Sequence, residues 1–155
     1  MGEGEEMINE VVDVYADWKK DGKKDKNVLL ENLARIEGVY VPSFYNVEYN
    51  GDGTIKSVLP NNPNAKNVIK KRIVKDFDSV VTPDSIIVPF GEIVHDRVML
   101  ELFRGCIRGC RFCQAGYVYR PVREKKAKTL SDLAQKLLSC SGYHEISLSS
   151  LSTSN

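Results

Sequence analysis

One segment determines how the rest of the chain is interpreted: Glu101-Leu-Phe-Arg-Gly-Cys-Ile-Arg-Gly-Cys-Arg-Phe-Cys-Gln-Ala-Gly116. It holds three of the four cysteines of the 155-residue chain, Cys106, Cys110 and Cys113, at the spacing Cys-x3-Cys-x2-Cys. Thiolates are soft ligands, and a set of them selects iron-sulfur clusters or zinc over hard cations. Glycines directly before the first two cysteines let the backbone turn tightly and approach an inorganic core. The segment therefore predicts a metal centre.

The number of cysteines limits the kind of centre. Cys140 lies 27 residues beyond Cys113 within a helical pattern, so we expect it to be a small buried residue and not a ligand. Three thiolates in a short loop can hold three irons of a 4Fe-4S cluster, normally one thiolate per iron. One iron would then be open to a small molecule.

The cysteine spacing resembles the signature of the radical S-adenosylmethionine (SAM) superfamily, with Phe112 directly before the last cysteine. The resemblance implies that Cys106, Cys110 and Cys113 hold a 4Fe-4S cluster whose fourth iron is chelated by SAM. It places Phe112 beside the adenine of SAM. It also implies an enzyme that cleaves SAM reductively to methionine and a 5'-deoxyadenosyl radical, with a flavodoxin- or ferredoxin-like reductant as electron donor.

Two segments resemble a narrower bacterial group, Glu101-x-x-Arg-Gly-Cys106 and Gln114-Ala-Gly-Tyr-x-Tyr-Arg-Pro-x-Arg-Glu124. Members of that group carry a cobalamin-binding-type domain before the radical SAM domain. The resemblance implies that residues 2–6 are the last turn of such a domain and that cobalamin is a possible cofactor of full-length relatives. It also makes Glu101 and Arg104 partners in bracing the cysteine segment, although a structural ion pair explains them equally.

The residues alone are also compatible with other kinds of metal centre. Three cysteines can form most of a structural zinc site, with His95 or His144 as the fourth ligand. A ferredoxin-type carrier takes four cysteines in its run, and this chain has three. The alternative of a different class is a non-catalytic iron-sulfur or zinc module that docks on nucleic acid or protein.

Composition and charge add few constraints. Hydrophobic residues make up 42% of the chain and charged residues 28%, which is ordinary for a soluble globular protein. The net charge of +1 indicates no particular partner. The acidic segment 1–7 lacks the layout of a secretory signal, and no apolar run is long enough to span a membrane. Since a thiolate cluster needs reducing conditions, these features predict a cytoplasmic protein.

The first 38 residues are predicted to be helical, as the end of a preceding domain or a linker. An amphipathic pattern over residues 7–19 includes Ile8, Val12 and Tyr15, which we expect to pack in a core. A second helix is predicted over residues 27–36, with Asn27 as its N-cap and Gly38 ending it.

Residues 39–96 are predicted to form an α+β connecting region. Strands are expected at 39–41, 45–49 and 54–59, with Asn50-Gly-Asp-Gly53 as a hairpin turn between the last two. Residues 68–74 are a further candidate strand, whose basic side chains form a solvated edge. The pair His95-Asp96 is unlike a catalytic dyad, because adjacent side chains on an extended chain point to opposite faces.

Residues 97–155 are predicted to contain one βαβ unit. The strand 97–103 is apolar apart from Glu101, and parallel barrels place functional residues at the carboxyl ends of such strands. A helix from Thr129 to Gly142, with a Thr-x-x-Asp capping pattern, precedes a second strand over 145–151. The fold class is therefore α/β, with an α+β N-terminal region and the opening βαβ of an incomplete radical SAM TIM-like barrel.

Two residues at the end of the second strand, Ser150 and Ser152, are also expected to contact SAM. The resemblance aligns Ser150 and Ser152 with a Gly-Gly-Glu-like motif that contacts the amino group of SAM. These residues depart from that motif, but hydroxyls and backbone carbonyls can replace its contacts. Since the chain stops at Asn155 before further βα units, we expect a truncated fragment that is inactive alone.

Cationic residues follow the cysteines. They either offset the negative charge of the cluster and of SAM or bind an anionic substrate such as RNA, with Tyr117 and Tyr119 stacking on bases. The cationic residues are Arg120, Arg123, Lys125, Lys126 and Lys128, against Glu124 alone.

Overall fold

The computed structural model describes residues 2–22 and 25–152. Residues 1, 23, 24 and 153–155 lie outside this range, and the predictions for the segments 1–38 and 97–155 are compared with the structure without them. The chain divides into two compact units, Met1–Val74 and Lys75–Asn155. The three-part division at residues 38 and 96 stays a prediction. Among the described residues, no helix combines the length and the apolar composition needed to cross a membrane.

The described residues form helices and short strands in both units. In chain order they are α1 Met7–Lys20, α2 Lys26–Arg35, a 3-10 turn Pro42–Phe44, β1 Tyr45–Tyr49, β2 Ile55–Pro60, β3 Val98–Glu101, β4 Phe103–Arg104, α3 Ala115–Val118, β5 Arg123–Glu124, α4 Ala127–Ser141 and β6 Ile146–Ser149.

Helix α1 has the predicted extent, but its apolar stripe is not in a core. Met7 is buried, whereas Ile8, Val12 and Tyr15 are all about half exposed. The reason is that α1 packs mainly against α2, and one helix covers only one side of another. The expectation that the stripe packs in a core is therefore wrong for these three residues.

Helix α2 begins one residue earlier than predicted, and its N-cap is Asp25. The Asp25 carboxylate accepts a hydrogen bond from the backbone N–H of Asn27 at 2.8 Å. An N-cap side chain satisfies an amide that has no partner within the helix, so the assignment of Asn27 as the cap was wrong. Behind the helix, Ala34 packs with Val41 and Phe44 in the buried core of this unit.

The predicted hairpin is present. Strands β1 and β2 pair antiparallel, with Val47 opposite Val58. The backbone N–H and the hydroxyl of Thr54 both donate to the Asp52 carboxylate, at 3.0 and 2.7 Å, which closes the turn. By contrast, residues 39–41 join no described sheet, because Val41 is buried in the core instead.

The candidate strand at 68–74 was also wrong. Its described part contributes one bridge, between Arg72 and Gly2, and no ladder. The Arg72 guanidinium donates to the carboxylates of Glu6 and Glu10, at 3.0 and 2.8 Å, and the Val74 backbone N–H donates to the Glu3 carboxylate. Ion pairs of Arg72, the hydrogen bond to Glu3 and this single backbone bridge therefore fix the segment to the N-terminal residues without a strand ladder.

The second unit contains the strand–helix–strand arrangement. Strands β3 and β6 pair parallel, with Leu100 opposite Leu148. Helix α4 lies between them in sequence and packs Leu137 against Val98 and Leu100, so these three form the buried core. Whether this unit opens a barrel stays a prediction.

Three details of the second unit differ from expectation. Helix α4 begins at Ala127, and Asp132 binds Lys128 at 3.2 Å in place of capping the helix. Cys140 is exposed, because the apolar face of α4 turns Leu137 and not Cys140 toward the core. The strand predicted to reach residue 103 ends at Glu101. Gly142, in the left-handed conformation at φ +75°, ends α4 as predicted.

Candidate metal centre

The three cysteines lie in one loop, residues 105–122, which we call the cysteine loop. Strand β4 enters it and β5 leaves it, and the two pair antiparallel with Phe103 opposite Glu124. The backbone N–H of Lys125 also donates to the Leu102 carbonyl at 2.9 Å. The loop therefore starts and ends at one place, directly beyond the carboxyl end of β3, where parallel α/β folds carry their functional residues.

The glycines have the conformational role that was predicted. Gly105 has φ +99° and Gly109 has φ +65°, a region that residues with a side chain rarely adopt. A Cβ atom added to Gly105 would lie 2.7 Å from the Pro121 carbonyl oxygen and 2.8 Å from that of Tyr119. The start and the end of the loop thus touch through their backbones.

All three cysteines of the loop are free thiols. Cys110 is exposed, and Cys106 and Cys113 are partly buried. The Cys106 sulfur accepts a hydrogen bond from the Arg108 backbone N–H at 3.4 Å, and the Cys113 N–H donates to the Cys110 carbonyl at 3.0 Å. Within residues 2–22 and 25–152, no three metal-binding side chains converge on one point. Three free thiols in one loop are the kind of soft ligands that bind an iron-sulfur cluster. Their sulfur atoms, however, are not gathered into a ligand set.

The histidines offered as a fourth zinc ligand are placed elsewhere in the unit. His95 precedes β3 and His144 precedes β6, so both lie at the amino ends of the parallel strands. The cysteines follow the carboxyl end of β3, and a strand of this length spans about 13 Å. This separation disfavours a zinc site completed by either histidine.

The end of β6 lies beside the cysteine loop. Ser152, just after β6, accepts a hydrogen bond through its hydroxyl from Nε of Arg108 at 3.4 Å. A cavity of about 430 Å³ opens at the carboxyl ends of β3 and β6, a size suited to a small molecule. Its lining comprises Met99, Glu101, Phe103, Arg104, Tyr119, Ser149, Ser150 and Leu151.

The structure brings some of the predicted site residues together and leaves one apart. Ser150 lines the cavity, and Ser152 contacts the loop that holds the cysteines. Phe112 is 93% exposed, so its ring is not packed against the rest of the unit. Glu101 and Arg104 form a two-bonded ion pair, at 2.9 and 2.8 Å, between β3 and the start of the loop.

Arginine dominates the charge of the site. Residues 102–123 contain five arginines and no aspartate or glutamate. Tyr117, Tyr119 and Phe112 are exposed within the same stretch, and the Arg120 guanidinium lies 5.1 Å from the Tyr117 ring centroid. The loop therefore carries arginines and exposed aromatic rings, with one of the arginines beside one of the rings.

Sequence reasoning missed two residues beneath the loop. Lys125 belongs to the basic run that was expected to offset the charge of the cluster or bind an anionic substrate. It is 8% exposed and donates from Nζ to the Phe77 carbonyl at 3.0 Å. Phe77 is 2% exposed and lies in a segment without periodicity. The sequence offered no signal for either of them.

Comparisons with known proteins give one family match and one curated relative. The family described as "Radical SAM proteins, N-terminal" matches residues 1–42, which supports membership of the radical SAM superfamily. An uncharacterized protein of Methanocaldococcus jannaschii is 28% identical over 117 residues, 75% of this chain and 25% of that protein. The chain thus spans about a quarter of the length of this curated relative. No solved structure matches the chain.

Proposed function

We propose that this chain is part of a radical SAM enzyme in which Cys106, Cys110 and Cys113 hold a 4Fe-4S cluster. The observation that carries the proposal is the position of three free cysteines in one glycine-turned loop, beside a cavity at the carboxyl ends of two parallel strands. The family match to residues 1–42 supports it independently, because the matched residues do not include the loop.

The residues around the cavity have distinct roles in this proposal. Cys106, Cys110 and Cys113 would hold the cluster, which when bound would supply the electron for reductive cleavage of SAM. Ser150 faces SAM from the cavity wall, and Ser152 fixes the loop to the end of β6 through Arg108. Phe112 stacks on the adenine, and its exposed ring is free to turn toward it. A flavodoxin- or ferredoxin-like protein is the proposed reductant, which places the enzyme in the cytoplasm.

Anaerobic reconstitution tests the proposal. We expect about four irons and four sulfides per chain, the content of one 4Fe-4S cluster. We also expect an EPR spectrum of the reduced cluster that changes when SAM is added. Cys106→Ala should abolish that change, whereas Cys140→Ala, the matched control outside the loop, should leave it intact. A spectrum that ignores SAM would instead favour the non-catalytic iron-sulfur module, and stoichiometric zinc would favour a zinc module.

We propose RNA as the substrate class. The supporting observation is the arginine-only charge of the loop together with its exposed aromatic rings, because guanidinium groups bind phosphates and aromatic rings stack on bases. Binding of single-stranded RNA by the chain should weaken with salt. Arg111→Gln should reduce the slope of log K against log salt by about 0.7, the contribution of one phosphate contact. Lys136→Gln on α4 is the matched control, and equal slopes in both variants would contradict this proposal.

The narrower kinship remains a prediction from residues 101–124. If it holds, full-length relatives carry a cobalamin-binding-type domain before the cysteine loop, and cobalamin is a possible cofactor for them. Cobalamin binding by the full-length protein, measured by its visible absorption, tests this prediction apart from the cluster.

A further inference from the structure

The two ends of the cysteine loop rest on a two-residue segment, Phe77-Asp78. Phe77 is among the most buried side chains of the described chain. It does not belong to the apolar cluster of Val98, Leu100 and Leu137 that forms the core of its unit. The surroundings of its ring therefore call for a separate explanation.

Cationic groups surround the Phe77 ring. Nζ of Lys125 lies 4.5 Å from the ring centroid, and the guanidinium carbons of Arg104 and Arg123 lie at 4.7 and 6.0 Å. Arg104 belongs to the chain entering the loop, and Arg123 and Lys125 belong to the chain leaving it. The negative face of an aromatic ring attracts such cations, most strongly where water is excluded. One ring thus binds both ends of the loop.

Backbone and side-chain hydrogen bonds act at the same place. The Asp78 carboxylate accepts from the backbone N–H of Lys126 at 2.7 Å and lies 3.2 Å from its Nζ. Lys125 in turn joins Phe77 through Nζ and Leu102 through its N–H. Three segments of chain, 77–78, 102–104 and 123–126, are therefore held together at the two ends of the cysteine loop.

We propose that Phe77 is a positioning residue for the cysteine loop: it holds the two loop ends together, so that the loop stays beside the cavity at the carboxyl ends of β3 and β6. The proposal rests on the proposed function, since it concerns the loop that holds the cluster. Phe77 does not line the cavity. It acts through Lys125, Arg104 and Arg123.

Hydrogen exchange on the metal-free chain tests the role without any cluster. Phe77→Leu keeps an apolar side chain of similar size and removes the ring. We expect exchange of the Lys125 amide to accelerate about tenfold or more, because the loop base opens locally. Exchange of the Val98 amide, which is bonded to the Glu145 carbonyl in the β3–β6 pair, should not change. Equal acceleration at both amides, or none at Lys125, would overturn the proposal, since Phe77 would then be a general core residue or dispensable.

Substitutions of Lys125 supply the second measurement. Lys125→Met removes the charge and keeps the apolar stem, so it should also accelerate exchange at the loop base, whereas Lys125→Arg should restore slow exchange. If Phe77→Leu fails to fold, this pair decides the question alone, and equal exchange in the two Lys125 variants would refute the proposal. Phe44→Leu, a buried phenylalanine of the other unit, is the matched control and should leave the Lys125 amide unchanged.

The reconstituted chain separates this proposal from the proposed function. With a cluster present, Phe77→Leu should retain iron but lose at least half of the SAM-induced change in the EPR spectrum. If the unaltered chain binds no cluster, the proposed function fails, while the exchange experiment still decides whether Phe77 holds the loop. If the cluster and its response to SAM are identical in both chains, the positioning role is wrong and the proposed function stands.

Discussion

Gly105 lies directly against the carbonyl oxygen of Pro121, so close that an added Cβ atom would stand 2.7 Å away from it. Because Gly105 also has φ +99°, an alanine there meets both a forbidden contact and an unfavourable backbone conformation. We expect Gly105→Ala to lower the free energy of unfolding by about 3 kcal/mol. Urea denaturation of the chain measures this change.

Gly109 provides the matched control in the same loop. It also has a positive φ, but the nearest atom to an added Cβ, the Ile107 carbonyl oxygen, is 4.0 Å away. Gly109→Ala should therefore cost about 1 kcal/mol, the conformational term alone. Equal losses in the two variants would mean that the close approach to Pro121 does not matter.

Arg72 anchors the N-terminal residues of the first unit. Its guanidinium reaches the carboxylates of Glu6, Glu10 and Glu37, and hydrogen bonding to Glu6 raises the pKa of Arg72 above its usual value. We expect Arg72→Met to lower the midpoint of thermal unfolding, because three carboxylates lose one shared partner. Circular dichroism during heating measures the midpoint.

Lys56→Met is the control for Arg72→Met. Lys56 makes a single ion pair with Glu48, at 3.5 Å, and both side chains are mostly exposed. Exposed single pairs contribute little, so this variant should unfold near the midpoint of the unaltered chain. A shift as large as that of Arg72→Met would show that the three carboxylates around Arg72 stabilise the fold no more than a single exposed ion pair does.

The sequence was sufficient where a regular pattern or a turn signal determines the structure. Helix α1 followed from apolar periodicity, the β1–β2 hairpin from Asn50-Gly-Asp-Gly53, and the β3–α4–β6 order from a strand, a helix and a second strand. Periodicity did not reveal which apolar faces are covered, because coverage depends on neighbouring elements. Ile8 and Cys140 were misjudged for that reason.

The base of the cysteine loop could not be predicted. Strand β4 follows β3 after a single residue and reads as its continuation, and only the pairing with β5 separates them. Lys125 is buried through a contact with Phe77, 48 positions earlier, which no local pattern records. The cysteine spacing indicates Cys106, Cys110 and Cys113 as candidate ligands, which stays a prediction. Their sulfur atoms do not converge among the described residues, and a metal site rarely exists before its metal binds.

Asp78 gives the second unit a dependence on acid. The backbone N–H of Lys126 donates to its carboxylate and holds the pKa of Asp78 below the usual value of 3.8. A carboxyl group with a lowered folded-state pKa stabilises the fold fully above its unfolded-state pKa, and this stabilisation is lost as pH falls through the folded-state value. We expect urea stability of the unaltered chain to fall as the pH drops from about 5 to below 3.8.

The variant Asp78→Asn isolates this contribution. Its amide oxygen can still accept from the Lys126 N–H, but it does not titrate. We expect lower stability than the unaltered chain at neutral pH and a smaller loss between neutral and acid pH. Identical pH profiles for the two chains would show that Asp78 does not contribute to the acid response.

Phe112 provides a test of the expected adenine contact. Its ring is 93% exposed, so truncation removes no packing from the unit. Stacking of an aromatic ring on a base contributes about 1–3 kcal/mol, and a loss of 1.4 kcal/mol corresponds to about a tenfold weaker affinity. We expect Phe112→Ala to raise the Kd for SAM about tenfold, measured by titrating the SAM-induced change in the EPR spectrum of the reduced cluster. Iron content should stay the same because the three thiols are untouched.

Phe90→Ala, which removes another fully exposed ring of the same unit, is the matched control and should leave the Kd unchanged. Unaltered SAM affinity in Phe112→Ala would exclude the stacking role, while a loss of iron would assign Phe112 to the conformation of the loop.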